Sequence, residues 1–173
     1  MDLDNKIVSL WERLFKYYEN IISKKCKGAS EEKILEVEKE FGVKLPKAFA
    51  DSFRICDERY IFNTPGKRGW LGESDLYSLE TCYDWNNLID INKLYRTLHV
   101  DWKDEWIAFY DYGTWFIAVL DTVTGKVYCF DNETGERIIW KNSYEEWLEM
   151  AVDEVLKYGK LRLEPIEELM GIY

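Results

Sequence analysis

WIAFYDYGTWFIAVLDTVTGKVYCFDNETGERIIW, residues 106–140, decides the fold. It contains four apolar runs: Trp106–Tyr110, Thr114–Leu120, Val127–Phe130 and Ile138–Trp140. They are rich in β-branched and aromatic residues, whose bulk suits a pleated surface. Between them stand Gly113, Thr124-Gly125 and Thr134-Gly135, connections short enough to reverse the chain between antiparallel strands. Asp121 and Asp131 each close a run just before its turn, where a short carboxylate accepts hydrogen bonds from turn N–H groups. The pattern predicts an antiparallel meander. WFIAVL (115–120) is apolar on both alternating faces, so this strand is expected to be central and covered on both sides.

Working outward, Ser143 and Glu146 form a capping box that opens a helix with Tyr144, Trp147, Leu148, Ala151, Val152, Val155 and Leu156 toward the sheet. A tail helix is expected from Pro165 to Met170, ending at Gly171. On the N-terminal side, residues 84–98 read as partly helical, with Leu88, Ile91, Leu94, Tyr95 and Leu98 in phase. A short strand is expected at Leu76–Leu79, and residues 57–75, with Pro65, Gly66, Gly69 and Gly72, read as loop. Before that, Ser30 caps a helix with Ile34, Val37 and Phe41 on its apolar face, and Gly42 stops it. Pro46 opens a third helix carrying Phe49 and Phe53. The first helix, capped by Asp4, has a one-sided stripe from Ile7 through Trp11 and Leu14 to Ile22, and Gly28 stops it. Such a stripe must dock, and the chain's own core is the expected target. The fold class is therefore α+β: an antiparallel meander of four to six strands packed against N-terminal helices and a C-terminal helix. A single domain is expected, with residues 1–27 as a helical extension packed on a core of residues 28–173.

The chain has 173 residues, 47% hydrophobic and 16% aromatic, a composition that supports a bulky core. Its net charge of -10 is unevenly spread. Residues 1–56 carry 11 Lys/Arg and 10 Asp/Glu, whereas residues 57–173 carry 12 and 23. That field repels nucleic acid and anionic membrane and attracts basic partners, although a solubility surface is the plainer explanation. Neither nucleic acid nor membrane is expected as a partner. MDLDNKIVSL (1–10) lacks the basic and long apolar regions of a signal peptide, so neither a leader nor a membrane-spanning helix is expected, and the four cysteines (Cys26, Cys56, Cys82, Cys129) form no C-x-x-C pair. Reduced, buried, inert thiols in the cytoplasm are expected.

The motifs of catalysis are sparse. His99 is the single histidine, and its place after an apolar helical face marks it as a half-buried structural residue. Without a second histidine there is no histidine zinc site, and neither a metal nor another cofactor is expected. Phosphate-cradling glycine loops are absent, and the basic turn GKRG (66–69) reads as surface. Asp101, Asp104 and Glu105 lie near Trp102 and Trp106, a composition compatible with a sugar cleft, but a short meander leaves little room for one.

Three stretches together resemble the SUKH superfamily. The first runs from GASEEKI (28–34) through FGVKLP (41–46) to FRI (53–55). The second is DLYSL (75–79). The third is WIAF (106–109) through Gly113 and Asp121 to GKVY (125–128) and SYEEWL (143–148). Where that family commonly has an Asn-Gly pair after the third helix, this chain has ICDE (55–58). The resemblance implies a non-catalytic binding domain: bacterial members are typically immunity proteins that neutralise polymorphic toxins, often nucleases, and fungal relatives are regulatory adaptors of cell-wall synthesis. The expected partner is then a basic toxin domain or another protein. Candidate contact residues, in or beside loops, are Trp70, Tyr77, Glu80, Asp84, Trp85, Asp111, Tyr112 and Trp115. For Trp85 and Trp115 a core position is the simpler alternative, and Trp11, Trp106, Trp140 and Trp147 follow core periodicity.

Overall fold

A computed structural model describes residues 2–18, 27–57, 75–76, 88–112, 115–158 and 171. In chain order these form α1 (Asn5–Tyr18), α2 (Glu31–Phe41), α3 (Lys47–Ile55), β1 (Asp75–Leu76), α4 (Leu88–Leu98), β2 (Trp106–Asp111), β3 (Phe116–Asp121), β4 (Val127–Asp131), β5 (Arg137–Lys141) and α5 (Tyr144–Tyr158). The strands make one antiparallel sheet in sequence order, β1 to β5. The fold is α+β, as the sequence pattern predicts. The predicted tail helix, the loop over 58–74 and the strand residues after Leu76 lie outside the described residues.

Local chemistry explains the meander. The turns after β3 and β4 are built alike, on Asp-x-x-Thr-Gly. Asp121 Oδ1 accepts from Val123 N and Thr124 N at 3.0 and 2.9 Å, and Asp131 Oδ1 from Glu133 N and Thr134 N at 2.8 and 3.1 Å. Gly125 N and Gly135 N donate back to the Asp121 and Asp131 carbonyls, each at 2.8 Å. Both aspartates are thus turn residues. Every residue of β3 is buried, which fits a strand apolar on both faces. One face of the sheet packs on α5 and α3, with Phe109 edge-on to Trp147 and Tyr144. The other meets Tyr95 of α4 and Trp102, which packs edge-on against Trp106 and Phe130.

The helix caps follow the sequence closely. Asp4 Oδ1 accepts from Lys6 N and Ile7 N, Ser30 Oγ from Lys33 N, and Ser143 Oγ from Glu146 N. Glu146 reaches back one residue beyond the cap, to Asn142 N. Helix α1 docks as its stripe requires: Ile7, Leu10, Trp11 and Leu14 are buried against α5 and α3. The buried Ser52 hydroxyl joins the three helices, accepting from Trp11 Nε1 at 2.9 Å and meeting Tyr144 Oη at 2.8 Å.

A second polar junction is Asp51, on α3 and buried. Its carboxylate accepts from Asp4 N at the start of α1, from Lys47 Nζ and from Arg54, which also grips Glu31 of α2. Burial pushes the Asp51 carboxyl up, but the hydrogen bonds from Lys47, Asp4 and Arg54 outweigh it and hold the pKa below the ordinary value. A depressed folded pKa contributes stability above the unfolded value of about 3.9 that is lost as pH falls through the folded value. Asp51→Asn is therefore expected to destabilise the fold by about 2 kcal/mol at neutral pH, discounted from a fully buried pair because Lys47 is exposed. The gap to wild type should close in acid. Urea titrations at neutral and acid pH check this, and a pH-independent gap would contradict it.

The cysteines bring one correction. Cys129 is buried and free, its thiol pushed up to about 12 by burial and the nearby Asp131 charge, so it is inert as expected. Cys56 is fully buried but disulfide-bonded, not a reduced thiol. The ground for a cytoplasmic setting is correspondingly weaker, since such bonds persist in oxidising compartments. Cys26 and Cys82 lie outside the described residues. No described helix is long and apolar enough to cross a membrane.

Candidate partner-binding surface

Five of the eight candidate contact residues, Trp70, Tyr77, Glu80, Asp84 and Trp85, lie outside the described residues. The other three sit where β2 turns into β3, and they diverge. Asp111 ends β2, half-buried, opposite Asp75 and Ile117. Tyr112 is buried, which removes it from any contact surface. Its N–H donates to the Phe116 carbonyl at 3.1 Å, its ring packs on Tyr110 and Trp140, and its hydroxyl accepts from Trp147 Nε1 at 3.3 Å. Burial, with Tyr110 alongside, holds its phenol protonated well above the ordinary range.

Trp115 is the reverse case. Its core position is not observed: the side chain is 54% exposed. The indole stands just before β3, and the backbone beneath it is pinned, because Asn132 N donates to the Trp115 carbonyl at 2.7 Å. Asn132 is held in turn by His99, whose Nε2 lies 2.6 Å from Asn132 Oδ1. The His99 ring is half-buried and edge-on to Phe130 at 4.9 Å, the structural role expected of it. Val100, Asp101 and Glu133, the exposed chain neighbours of His99 and Asn132, belong to the same end of the sheet. Trp115, Val100, Asp101 and Glu133 are thus exposed beside a hydrogen-bonded link from His99 through Asn132 to the Trp115 backbone. Asn132, Glu133 and Val100 were not among the expected residues. The repeated Asp-x-x-Thr-Gly turn was the available signal, since its central residues must face solvent.

The rim carries no pair of groups set for acid-base or nucleophilic chemistry among the described residues. A depression of about 300 Å³ lies at the opposite end of the sheet, lined by Gly42, Val43, Lys44, Asp104, Glu105, Thr122 and Val123. Asp101 is not part of it. Trp102 and Trp106, which a sugar cleft would need as stacking platforms, are buried at 9% and 1% exposure. Among the described residues no group of His, Cys, Asp or Glu is placed to hold a metal ion.

The described elements define an α+β domain with helices on both faces of one antiparallel sheet. The chain belongs to the SMI1 / KNR4 family (SUKH-1), whose model matches residues 28–150. Helix α1 and most of the second half of α5 flank the matched region. No curated protein matches the chain.

Proposed function

We propose that this chain is a non-catalytic protein-binding domain that acts as an immunity protein, neutralising a cognate toxin domain by direct binding. The observation that carries it is Trp115: a tryptophan left 54% exposed on a hydrogen-bonded turn, in the acidic part of the chain. Exposed indoles on preorganised loops are the residues that dominate protein interfaces, because they bury large area with little ordering cost. The surrounding carboxylates complement a basic partner such as a nuclease toxin, whose nucleic-acid groove is cationic, and would speed encounter with it. Family membership supports the same reading.

The test is protection. Cells expressing the toxin encoded beside this gene should survive when the chain is co-expressed. Binding measured by calorimetry should weaken as salt rises. Trp115→Ala should cost about 2 kcal/mol of binding, roughly 30-fold in Kd, and leave the urea midpoint unchanged. Failure of the chain to bind or protect would defeat the proposal.

A further inference from the structure

Strand β5 closes the sheet on one side, with β4 as its single neighbour. The turn bond from Asp131 N to the Glu136 carbonyl sets the ladder phase. Alternation then turns Cys129 and Ile138 toward each other and leaves the N–H and C=O of Arg137 and Ile139 pointing outward. Among the described residues nothing hydrogen-bonds to that outer edge. The opposite flank of the sheet is treated differently: β1 pairs with Asp111 and Tyr110, while Asn92 and Arg96 of α4 bind the backbone of Ala108 and Trp106. One edge is covered by design of the fold and the other is left open, with side chains Ile139 at 49% exposure and Arg137 exposed.

Strand β5 itself carries two cations, Arg137 and Lys141, in a chain of net charge -10. The Arg137 guanidinium rests 4.9 Å from the centre of the Trp106 ring, and Lys103 Nζ lies 5.3 Å from the same centre. Neither cation has an ion-pair partner among the described residues. The indole Nε1 of Trp106, buried beneath them, has no hydrogen-bond partner there either. The two cations thus share one buried indole on the sheet face, and Arg137 alone is rooted on the unpaired strand. A second copy of this chain fits poorly: antiparallel pairing centred on Ile139 would set Arg137 against Lys141 of the other copy, like charge on like charge. We infer that the β5 edge receives an extended segment of a partner protein, added as a further strand, with an apolar residue facing Ile139 and a carboxylate facing Arg137. This contact is separate from the Trp115 rim and does not depend on the partner's being a toxin.

The probe is a capped peptide of alternating valine and glutamate, titrated into the ¹⁵N-labelled full chain, with a valine–lysine peptide as control. The acidic peptide should shift the amide signals of Arg137 and Ile139, protect them from exchange and bind at least about tenfold more tightly than the basic one. Ile139→Pro removes an outward N–H without removing a ladder bond and should abolish that binding. Arg137→Glu, an exposed substitution, should reverse the preference between the two peptides. Equal binding of both peptides, an unperturbed β5, or a dimer held through β5 in sedimentation equilibrium would each overturn the inference.

Discussion

Replacing Gly28 by Ala is expected to destabilise the fold by about 4 kcal/mol, an unusually large effect for one methyl group. Gly28 lies between two backbone bonds, from Asp57 N to the Lys27 carbonyl at 2.8 Å and from Ala29 N to the Phe53 carbonyl at 2.9 Å. They stitch residues 27–29 to the end of α3. A Cβ on Gly28 would stand 1.8 Å from the Arg54 carbonyl oxygen and 2.6 Å from its carbon. Both are backbone atoms within a helix and cannot swing aside. Accommodating the methyl requires the two segments to part. That adds about 1–3 kcal/mol of overpacking to the loss of two backbone hydrogen bonds at about 1 kcal/mol each.

The control is Gly42, where the obstacle is of another kind. An added Cβ there meets open space, and only the left-handed backbone, φ 64°, resists it. Gly42→Ala should cost about 1 kcal/mol. Urea denaturation of both variants, with the denaturant slope checked for constancy, separates close approach from backbone strain. Equal midpoints for the two would show that residues 27–29 relax away from α3.

Gly28 also marks where the sequence ceases to be readable. The sequence marks it as a helix stop, a local reading whose helix end lies outside the described residues; its contact with Arg54 is tertiary, and no neighbour in the chain announces it. The same division runs through the molecule. The four strands of the meander lie within two residues of their predicted bounds, because aspartate-glycine turns and apolar runs are local signals. Trp115 reads from sequence both as a contact candidate and, because WFIAVL continues a strand period, as a core residue. The strand begins one residue later, at Phe116, so the period no longer applies to the indole. Tyr112 is the opposite case: it borders a glycine turn, yet its N–H extends the hairpin and its ring folds back onto Trp140. The Cys56 disulfide has no spacing signature to betray it. The covering of the β2 flank depends on where α4 is placed, and helical periodicity does not specify that.

The closed edge yields the last large effect: Asn92→Ala should cost about 4 kcal/mol. Asn92 is fully buried, and its amide acts as a fragment of strand. Oδ1 accepts from Ala108 N at 2.7 Å, and Nδ2 donates to the Ala108 carbonyl at 2.8 Å and to Leu88 O, also at 2.8 Å. With alanine there, both polar groups of Ala108 lose their partner inside the protein, at about 1–3 kcal/mol each. Asn92→Asp, equal in size, makes the sharper test. Its carboxylate still accepts from Ala108 N but faces two carbonyl oxygens where the amide donated. Burial and those oxygens must raise its folded pKa, since a protonated carboxyl can donate to one of them. A raised folded pKa means greatest stability below the unfolded value of about 3.9, lost as pH rises through the folded value. The Asn92→Asp deficit relative to wild type should therefore shrink in acid and widen toward neutrality. Hydrogen exchange of the Ala108 amide in both variants reports the same event locally. If that amide stays protected in Asn92→Ala, something other than Asn92 holds the edge. If it is exposed, α4 is the strand surrogate that keeps β2 from pairing with other chains, and β5 remains the edge free to do so.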